Sequence, residues 1–352
     1  MFTNKQTNIV SVGKIKIGGG TPVSIQTMWK KPITKEENII DQLQTLKDLG
    51  CDIIRFAVPD INTAEILGSV AEKSPMPVVA DIHFDYKIAL KCIDLGIQKI
   101  RINPGNIGTE WKIKEVIEKS KDKKIPIRVG INSGSLPVKL RNNKDKAASM
   151  IIAAEEEIEI FEKYNFKDVV FSLKSPDVKT TITVNEMFAE KYSYPLHVGV
   201  TEAGPLIDGV VKNSAALLNL LSKDIGNTVR VSLSATPENE VIAGNSILHE
   251  AGKRDNLVNL ISCPKCGRST FDVHEFVPKI YDRIKKIGKQ LTISVMGCVV
   301  NGPQEAKNAD IGITGVGDSI VIFKKGEIIK KTTSQNAEEE FLREIENFEK
   351  YI

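Results

Sequence analysis

The feature that most constrains this chain is an alternation running through roughly its first 250 residues. Short β-rich runs, each ending in polar or charged residues, are separated by stretches with helical periodicity. The runs cover residues 23–28, 53–58, 78–84, 99–104, 127–132, 169–174, 197–202 and 229–234, eight in all. Between the first two, Ile39, Ile40, Leu43, Leu46 and Leu49 share one helical face, after a Thr34 cap and before a Gly50 stop. Similar patterns occupy 63–73, 86–95, 111–121, 146–164, 184–191, 210–222 and 238–250. Eight βα repeats predict an α/β fold of the TIM (βα)8 type. An open doubly wound sheet is the competing arrangement, but it more often has fewer strands and a glycine-rich first turn.

At 352 residues the chain exceeds the size at which one core keeps growing, so a second domain is expected. After Gly252 the texture changes to short strands at LVNLIS, LTISVM, DIGITG and SIVIFKKGEIIKK, with KKGE as a hairpin turn, and a charged closing helix over 337–351. The reading is a barrel domain over 1–254 and a smaller α+β domain over 255–352.

The C-terminal strand ends of a TIM barrel form its active-site mouth. Arg55, Arg101, Arg128, Lys174 and Arg230 fall within or at the ends of five different predicted strands. Buried parallel strands are normally apolar, and unpaired charge there is costly. Asp52, Asp81 and Glu202 are available to neutralise one or two of the cations. The remaining excess favours an anionic ligand such as a diphosphate, gripped by forked guanidinium contacts. Asn103, Asn132, Ser232 and Ser234 share those ends as further hydrogen-bonding groups, and Lys212 begins the helix after strand seven. His83 with Asp81 and His197 offers no HxH pair, so a barrel metal site is disfavoured and His83 is kept as a polar site group. Glu202, in TEAG, is the better proton-donor candidate, placed between cations and an anionic substrate.

Five cysteines, an odd number, suit thiols or metal ligands better than a disulfide framework. Cys51 and Cys92 lie in the barrel half, where small buried apolar roles suffice. CPKCGR brings Cys263 and Cys266 to one tight turn, as a zinc knuckle or an iron–sulfur site requires. A zinc ribbon normally presents a second such pair; here only Cys298 follows, in MGCVVNGPQEA, a Gly/Pro loop that also carries Asn301 and Glu305. Three thiolates completed by Glu305 suit a [4Fe–4S] cluster better than structural zinc. The alternative is a non-redox phosphate-binding barrel with a structural zinc domain.

Net charge +3 is too weak to imply nucleic acid, and neither a signal-peptide pattern nor an apolar run of membrane-spanning length is present, so a cytoplasmic protein without a membrane role is expected.

Taken together, VADIHFDYKIAL, RINPGNIG, TEAG, RVSLSA, CPKCGR and GCVVNGP strongly resemble the 4-hydroxy-3-methylbut-2-enyl diphosphate synthases of the non-mevalonate isoprenoid pathway, in their bacterial two-domain form. The resemblance spans nearly the whole chain. It implies reductive opening and dehydration of 2-C-methyl-D-erythritol 2,4-cyclodiphosphate. It also implies a [4Fe–4S] cluster on Cys263, Cys266, Cys298 and Glu305, and diphosphate contacts from Arg55, Arg101, Arg128, Asn132, Lys174 and Ser232. Glu202 is implied as acid/base and Asn301 as a neighbour of the cluster. Flavodoxin or ferredoxin is implied as electron donor, since no flavin or nicotinamide fingerprint is present. A homodimer is implied, one chain's cluster serving its partner's barrel. NGPQEA departs from the family in having Gln304 where glycine is usual, and glutamine tolerates a positive φ poorly.

Overall fold

The computed structural model describes residues 6–33, 36–103, 107–255, 257–298 and 308–349, and divides into two compact units, Met1–Arg254 and Asp255–Ile352.

The first unit opens with an antiparallel hairpin of β1 (Val10–Val12) and β2 (Ile15–Ile17). There follow β3 (Ser24–Met28), α1 (Glu36–Asp48), β4 (Ile53–Ala57), α2 (Ile61–Lys73), β5 (Val78–Asp81), α3 (Tyr86–Asp94), β6 (Lys99–Ile102), α4 (Glu110–Lys123) and β7 (Ile127–Asn132). The chain continues through a short α5 (Val138–Arg141), α6 (Lys146–Lys163), β8 (Val169–Lys174), α7 (Val178–Lys191), β9 (His197–Val198), α8 (Leu206–Leu221), β10 (Thr228–Val229) and α9 (Pro237–Glu250). Strands β3 to β10 form one parallel eight-stranded sheet, and a bridge between Phe171 and Leu196 brings β8 to the entry of β9, nearly closing the circle. This is the expected TIM barrel.

Strand periodicity of two sorts the side chains. Ile54, Phe56, Val78, Ile100, Val129, Phe171, Leu173 and Val229 face the helices and join the main apolar core. The opposite parity fills the barrel. Ile53, Val79 and Val170, early in their strands, pack with Val10, Val12 and Ile17 of the leading hairpin, which therefore seals the N-terminal end of the barrel. Above that plug the interior turns polar, and the polar residues point toward the C-terminal mouth.

β9 and β10 have two residues each where the sequence suggested six. Gly199 explains the early stop: its φ is +148°, and a Cβ there would lie 2.1 Å from the Arg230 carbonyl oxygen, an approach only glycine permits. Beyond it Val200 N–H leaves the ladder for Asn213 Oδ1 at 3.0 Å. Helix α7 begins earlier than the sequence pattern did, because Asp177 accepts from Thr180 N–H and starts the turn ahead of a β-branched run that masks helical periodicity. The Gly50 stop of α1 is present, with φ +92°, whereas Thr34 lies outside the described residues.

The second unit contains β11 (Val258–Ser262), α10 (Val273–Ile284), β12 (Leu291–Met296), β13 (Ile311–Val316), β14 (Ser319–Lys324), β15 (Glu327–Thr332) and α11 (Ala337–Glu349). Its strands pair in chain order, β11–β12–β13 parallel and β13–β14–β15 antiparallel. Lys325 and Gly326, at φ 48° and 85°, make the tight turn foreseen at KKGE. Helix α10 was not foreseen. It buries Val273, Phe276, Ile280 and Ile284 at helical spacing after an Asp272 cap, while Pro278 inside it conceals the pattern.

Gly312 faces Phe323 across the β13–β14 pair, and a Cβ on it would lie 2.2 Å from Cζ of that fully buried ring. Gly312→Ala is therefore expected to destabilise the second unit by about 1–3 kcal/mol through overpacking. Urea titration of the full chain, followed by a probe in that unit, checks this. Among the described residues no helix is long and apolar enough to cross a membrane.

Candidate active site and thiol site

Five strand ends bring the predicted cations together inside the barrel mouth. Arg55, Arg101, Arg128 and Lys174 are at most 9% exposed, and Arg230 is partly buried. Register places Asp81 beside Ala57 and Arg101, and Arg101 beside Arg128, so charges on successive strands meet side by side. Asp81 is the carboxylate that organises one side: Arg101 Nη1 donates to its Oδ1 at 2.9 Å, and Arg55 Nε stands 3.4 Å from its Oδ2. Arg55 Nη2 also lies 2.9 Å from Met28 Sδ. Gly130 leaves the space that the Arg101 guanidinium occupies, since a Cβ there would meet its Nη2 at 2.7 Å.

On the other side Glu240, the buried first-turn residue of α9, takes Arg230 Nε at 3.3 Å and Nη2 at 3.2 Å, together with Lys30, Thr27 Oγ1 and Leu233 N–H. Sequence reasoning missed Glu240. Its position in the first turn after the eighth strand, behind Thr236-Pro237, was the available signal. Asp52, considered as a ring partner, instead pairs with Arg254 and accepts from Ile25 N–H at 2.8 Å, at the opposite end of the strands. Glu202 has no ion pair among the described residues.

Arg128 and Lys174 are thus left without a carboxylate partner among the described residues, and Arg128 Nε and Nη1 have no hydrogen-bond partner there. Burial, reinforced by Arg55 and Arg101, pushes the Arg128 pKa well down, and burial with Arg128 and Arg230 does the same for Lys174. Burial, opposed by Asp81 and reinforced by Arg230 and Arg101, brings Arg55 to about 10. Arginine keeps its charge even so. The pocket is an electropositive cleft in a low-dielectric surround, where an anion gains most.

Burial pushes the Asp81 carboxyl up, but Arg55, Arg101, Arg128 and His83 together outweigh it and hold its pKa at about 2. A depressed carboxylate contributes stability that is present above its unfolded pKa, about 3.9, and is lost as pH falls through the folded value. Asp81→Asn is expected to cost several kcal/mol at pH 6, because two buried guanidiniums lose their partner. The gap from the native chain should shrink by about 2 kcal/mol between pH 5 and pH 2. Denaturant titrations across that range provide the check.

The remaining predicted residues are less buried than the ring. Asn132, Ser232 and Lys212 are partly buried, and His83 is half exposed with Nε2 3.7 Å from Asp81 Oδ1. Glu202 is exposed just beyond β9 with φ +52°, a left-handed backbone uncommon for glutamate, and held strain of this kind concentrates at functional positions. A cavity of about 280 Å3, lined among others by Asn103, Ile131, Ser135, Pro137 and Arg141, opens beside the ends of β6 and β7. A larger one, about 540 Å3, is lined by Thr7, Gly20, Pro22, Gly226 and Asn227 at the N-terminal ends of the strands, the face that serves stability rather than chemistry.

In the second unit the chain returns on itself so that the CPKCGR turn meets the end of β12. Gly297 N–H donates to Cys263 Sγ at 3.0 Å, and the Gly297 carbonyl accepts from Thr270 and Phe271 N–H at 2.8 and 3.1 Å. A Cβ on Gly297 would strike Ser269 Oγ at 2.5 Å, so only glycine lets the two segments close. Ser269 Oγ accepts from Cys266 N–H at 3.2 Å, and Thr314 Oγ1 donates to the Cys298 carbonyl at 3.0 Å. The Arg268 amide, with the Arg268 charge and Ser269, outweighs desolvation and holds the exposed Cys266 thiol below its usual pKa. Cys263, Cys266 and Cys298 thus sit on two tied segments with amide donors to sulfur, the surroundings that favour thiolate ligands. All five cysteines are free. Among the described residues no three metal-binding side chains converge on one point, and Asn301, Gln304 and Glu305 lie outside them.

A (βα)8 barrel with a buried cationic pocket at its C-terminal mouth, joined to a unit that presents ligand-competent thiols, defines an enzyme class: barrel enzymes that act on small anionic substrates. Residues 7–245 match the GcpE TIM-barrel domain and residues 259–347 the GcpE protein C-terminal domain. The chain belongs to the GcpE family. Among its relatives, a Treponema denticola protein named 4-hydroxy-3-methylbut-2-en-1-yl diphosphate synthase (flavodoxin) is 49% identical, with 94% of this chain and 91% of that protein covered. A Thermodesulfovibrio yellowstonii protein of the same name is 42% identical over 98% of this chain and 99% of its own length. The barrel also resembles the crystal structure of wild-type Plasmodium falciparum HPPK-DHPS with STZ-DHP. The TM-score is 0.51 and the identity 12%, over 70% of this chain and 50% of that one, a likeness of fold alone.

Proposed function

We propose that this chain converts 2-C-methyl-D-erythritol 2,4-cyclodiphosphate to 4-hydroxy-3-methylbut-2-enyl diphosphate with loss of water, taking electrons from flavodoxin. The observation that carries this reading is the buried ring of Arg55, Arg101, Arg128, Lys174 and Arg230, whose positive charge exceeds what Asp81 and Glu240 neutralise. A diphosphate supplies the missing negative charge. Arg128 and Lys174, free of carboxylates among the described residues, are the groups that meet it directly. Asp81 and Glu240 aim Arg55, Arg101 and Arg230 at the same space. Asn132, Ser232, Lys212 and His83 supply donors at the rim.

Cys263, Cys266 and Cys298, with Glu305 as the fourth ligand, would hold a [4Fe–4S] cluster, and the Gly297 amide on Cys263 sulfur fits such a site. When bound, the cluster supplies electrons one at a time for the two-electron reduction. The chain's residues do the rest. The ring fixes the diphosphate so that the carbon skeleton projects toward the mouth. Glu202, in the segment that follows β9, delivers the proton that the departing hydroxyl needs to leave as water. Asn301, close to Glu305 in the sequence, is assigned to orient the substrate hydroxyl. Domain roles follow: 1–254 binds substrate, and 255–352 carries the cluster. A cytoplasmic homodimer in which one chain's second unit serves its partner's barrel completes the reading.

Turnover of the cyclodiphosphate by anaerobically prepared protein with reduced flavodoxin tests it. The expected product is the linear hydroxybutenyl diphosphate; an unchanged substrate with a fully iron-loaded enzyme would overturn the assignment.

A further inference from the structure

Beneath the arginine ring lies a second polar layer that the proposed reaction does not use. Lys99, the first residue of β6, is fully buried and points into the barrel on the same face as Arg101, one layer deeper. Its Nζ has no hydrogen-bond partner among the described residues. Arg128 of β7 and His197 of β9 lie within electrostatic reach of it, and Gln26 of β3 and Thr228 of β10 are further buried polar residues of the barrel strands; all four are at most 2% exposed. Both side-chain polar atoms of Gln26, both ring nitrogens of His197 and Thr228 Oγ1 are likewise without partners among the described residues. Thr228 is the register partner of His197 and of Ser24, so these three stand side by side across neighbouring strands. A lysine kept charged here would carry a buried ammonium with no carboxylate beside it among the described residues.

The charged groups facing this layer are mostly cations. Arg55 comes from β4, Arg101 from β6 itself, Arg128 from β7, Lys174 from β8 and Arg230 from the residue after β10. Asp81 of β5 is committed to Arg55 and Arg101, and Glu240 of α9 to Arg230 and Lys30. We propose that Lys99 is a further positioning residue of the anion site, uncharged in the ligand-free barrel and charged by proton uptake when a diphosphate binds above it. This rests on the reading of the ring as a diphosphate site. Burial, then Arg128 and Arg55, already hold the Lys99 pKa well below its usual value. A bound polyanion screens those cations and reverses their effect. Lysine, unlike arginine, gives up its proton within reach of neutral pH when buried, so Lys99 can answer the ligand's charge, as can Lys174 of the ring itself, whose contribution is common to the native chain and the Lys99 variants. His197 is pushed the same way by burial, Lys174, Arg128 and Lys99, and serves as a neutral polar neighbour.

The test is calorimetric titration of the full chain with inorganic diphosphate, in buffers of different ionisation enthalpy at one pH. Proton exchange by the ligand itself is common to native protein and variant, and cancels in their difference. The native chain should take up about one more proton per diphosphate bound than Lys99→Met. That difference should fade as pH is lowered, when the free protein already holds the proton. Lys99→Arg, charged throughout, should bind without the extra proton, and stands in if the methionine variant does not fold. Equal proton counts with binding intact would overturn the role of Lys99 while leaving the anion site standing. Failure of native protein to bind diphosphate would overturn both.

Discussion

Replacing Cys298 by serine is expected to strip the protein of most of its iron and sulfide and to lower turnover at least about a hundredfold. Loss of a mere supporting partner of a metal ligand already costs 10–100-fold, and here a thiolate ligand itself is removed. The fold should survive, because what the structure asks of residue 298 is largely its backbone: the carbonyl accepts from Thr314 Oγ1 at 3.0 Å, and a serine keeps that bond. The Cys263 and Cys266 turn stays tied through Gly297 and Ser269. Iron and sulfide analysis, with the far-ultraviolet spectrum as control for folding, reads both effects. Glu305→Ala should retain more cluster than Cys298→Ser and still lose turnover. A fully active Glu305→Ala would remove Glu305 from the ligand set.

The second large effect is expected at Arg128. It is 2% exposed, it has two nitrogens without partners among the described residues, and no carboxylate is committed to it. Its contact with substrate is therefore a fully desolvated one, and truncating such a contact costs about 2–5 kcal/mol, or roughly thirtyfold to a few thousandfold in affinity. Arg128→Met keeps most of the volume and removes an unpaired buried charge, so the free protein should be no less stable than the native chain. Binding of inorganic diphosphate by calorimetry and a denaturant midpoint together check this. Unchanged affinity would exclude Arg128 from the anion site.

The barrel was legible because its strands are buried on both faces, hence near-continuously apolar, and charged at their ends, a pattern that local sequence carries. The leading hairpin was not: VSVGKIKI is too short to stand out, and it acquires meaning only by packing Val10, Val12 and Ile17 against Ile53, Val79 and Val170 from distant strands. Strand ends were overread for the same reason. Gly199 ends β9 through an approach to the Arg230 carbonyl that no local pattern reveals.

At the site, arginines inside apolar strands announced themselves. Asp81 was among the carboxylates foreseen as partners, but Glu240 was not, since a first-turn glutamate looks like ordinary helix-dipole chemistry until its burial is known. Lys99 was passed over because a lysine opening a strand normally reaches solvent. The cysteines were found by spacing alone, and the structure adds the Gly297 hinge that ties the two segments bearing them.

Metal and sulfide content of the anaerobically purified native chain tests the central claim most directly. About four iron and four acid-labile sulfides per chain are expected, with zinc well below stoichiometry. About one zinc per chain and no sulfide would contradict that claim and leave a non-redox barrel with a structural zinc unit in its place.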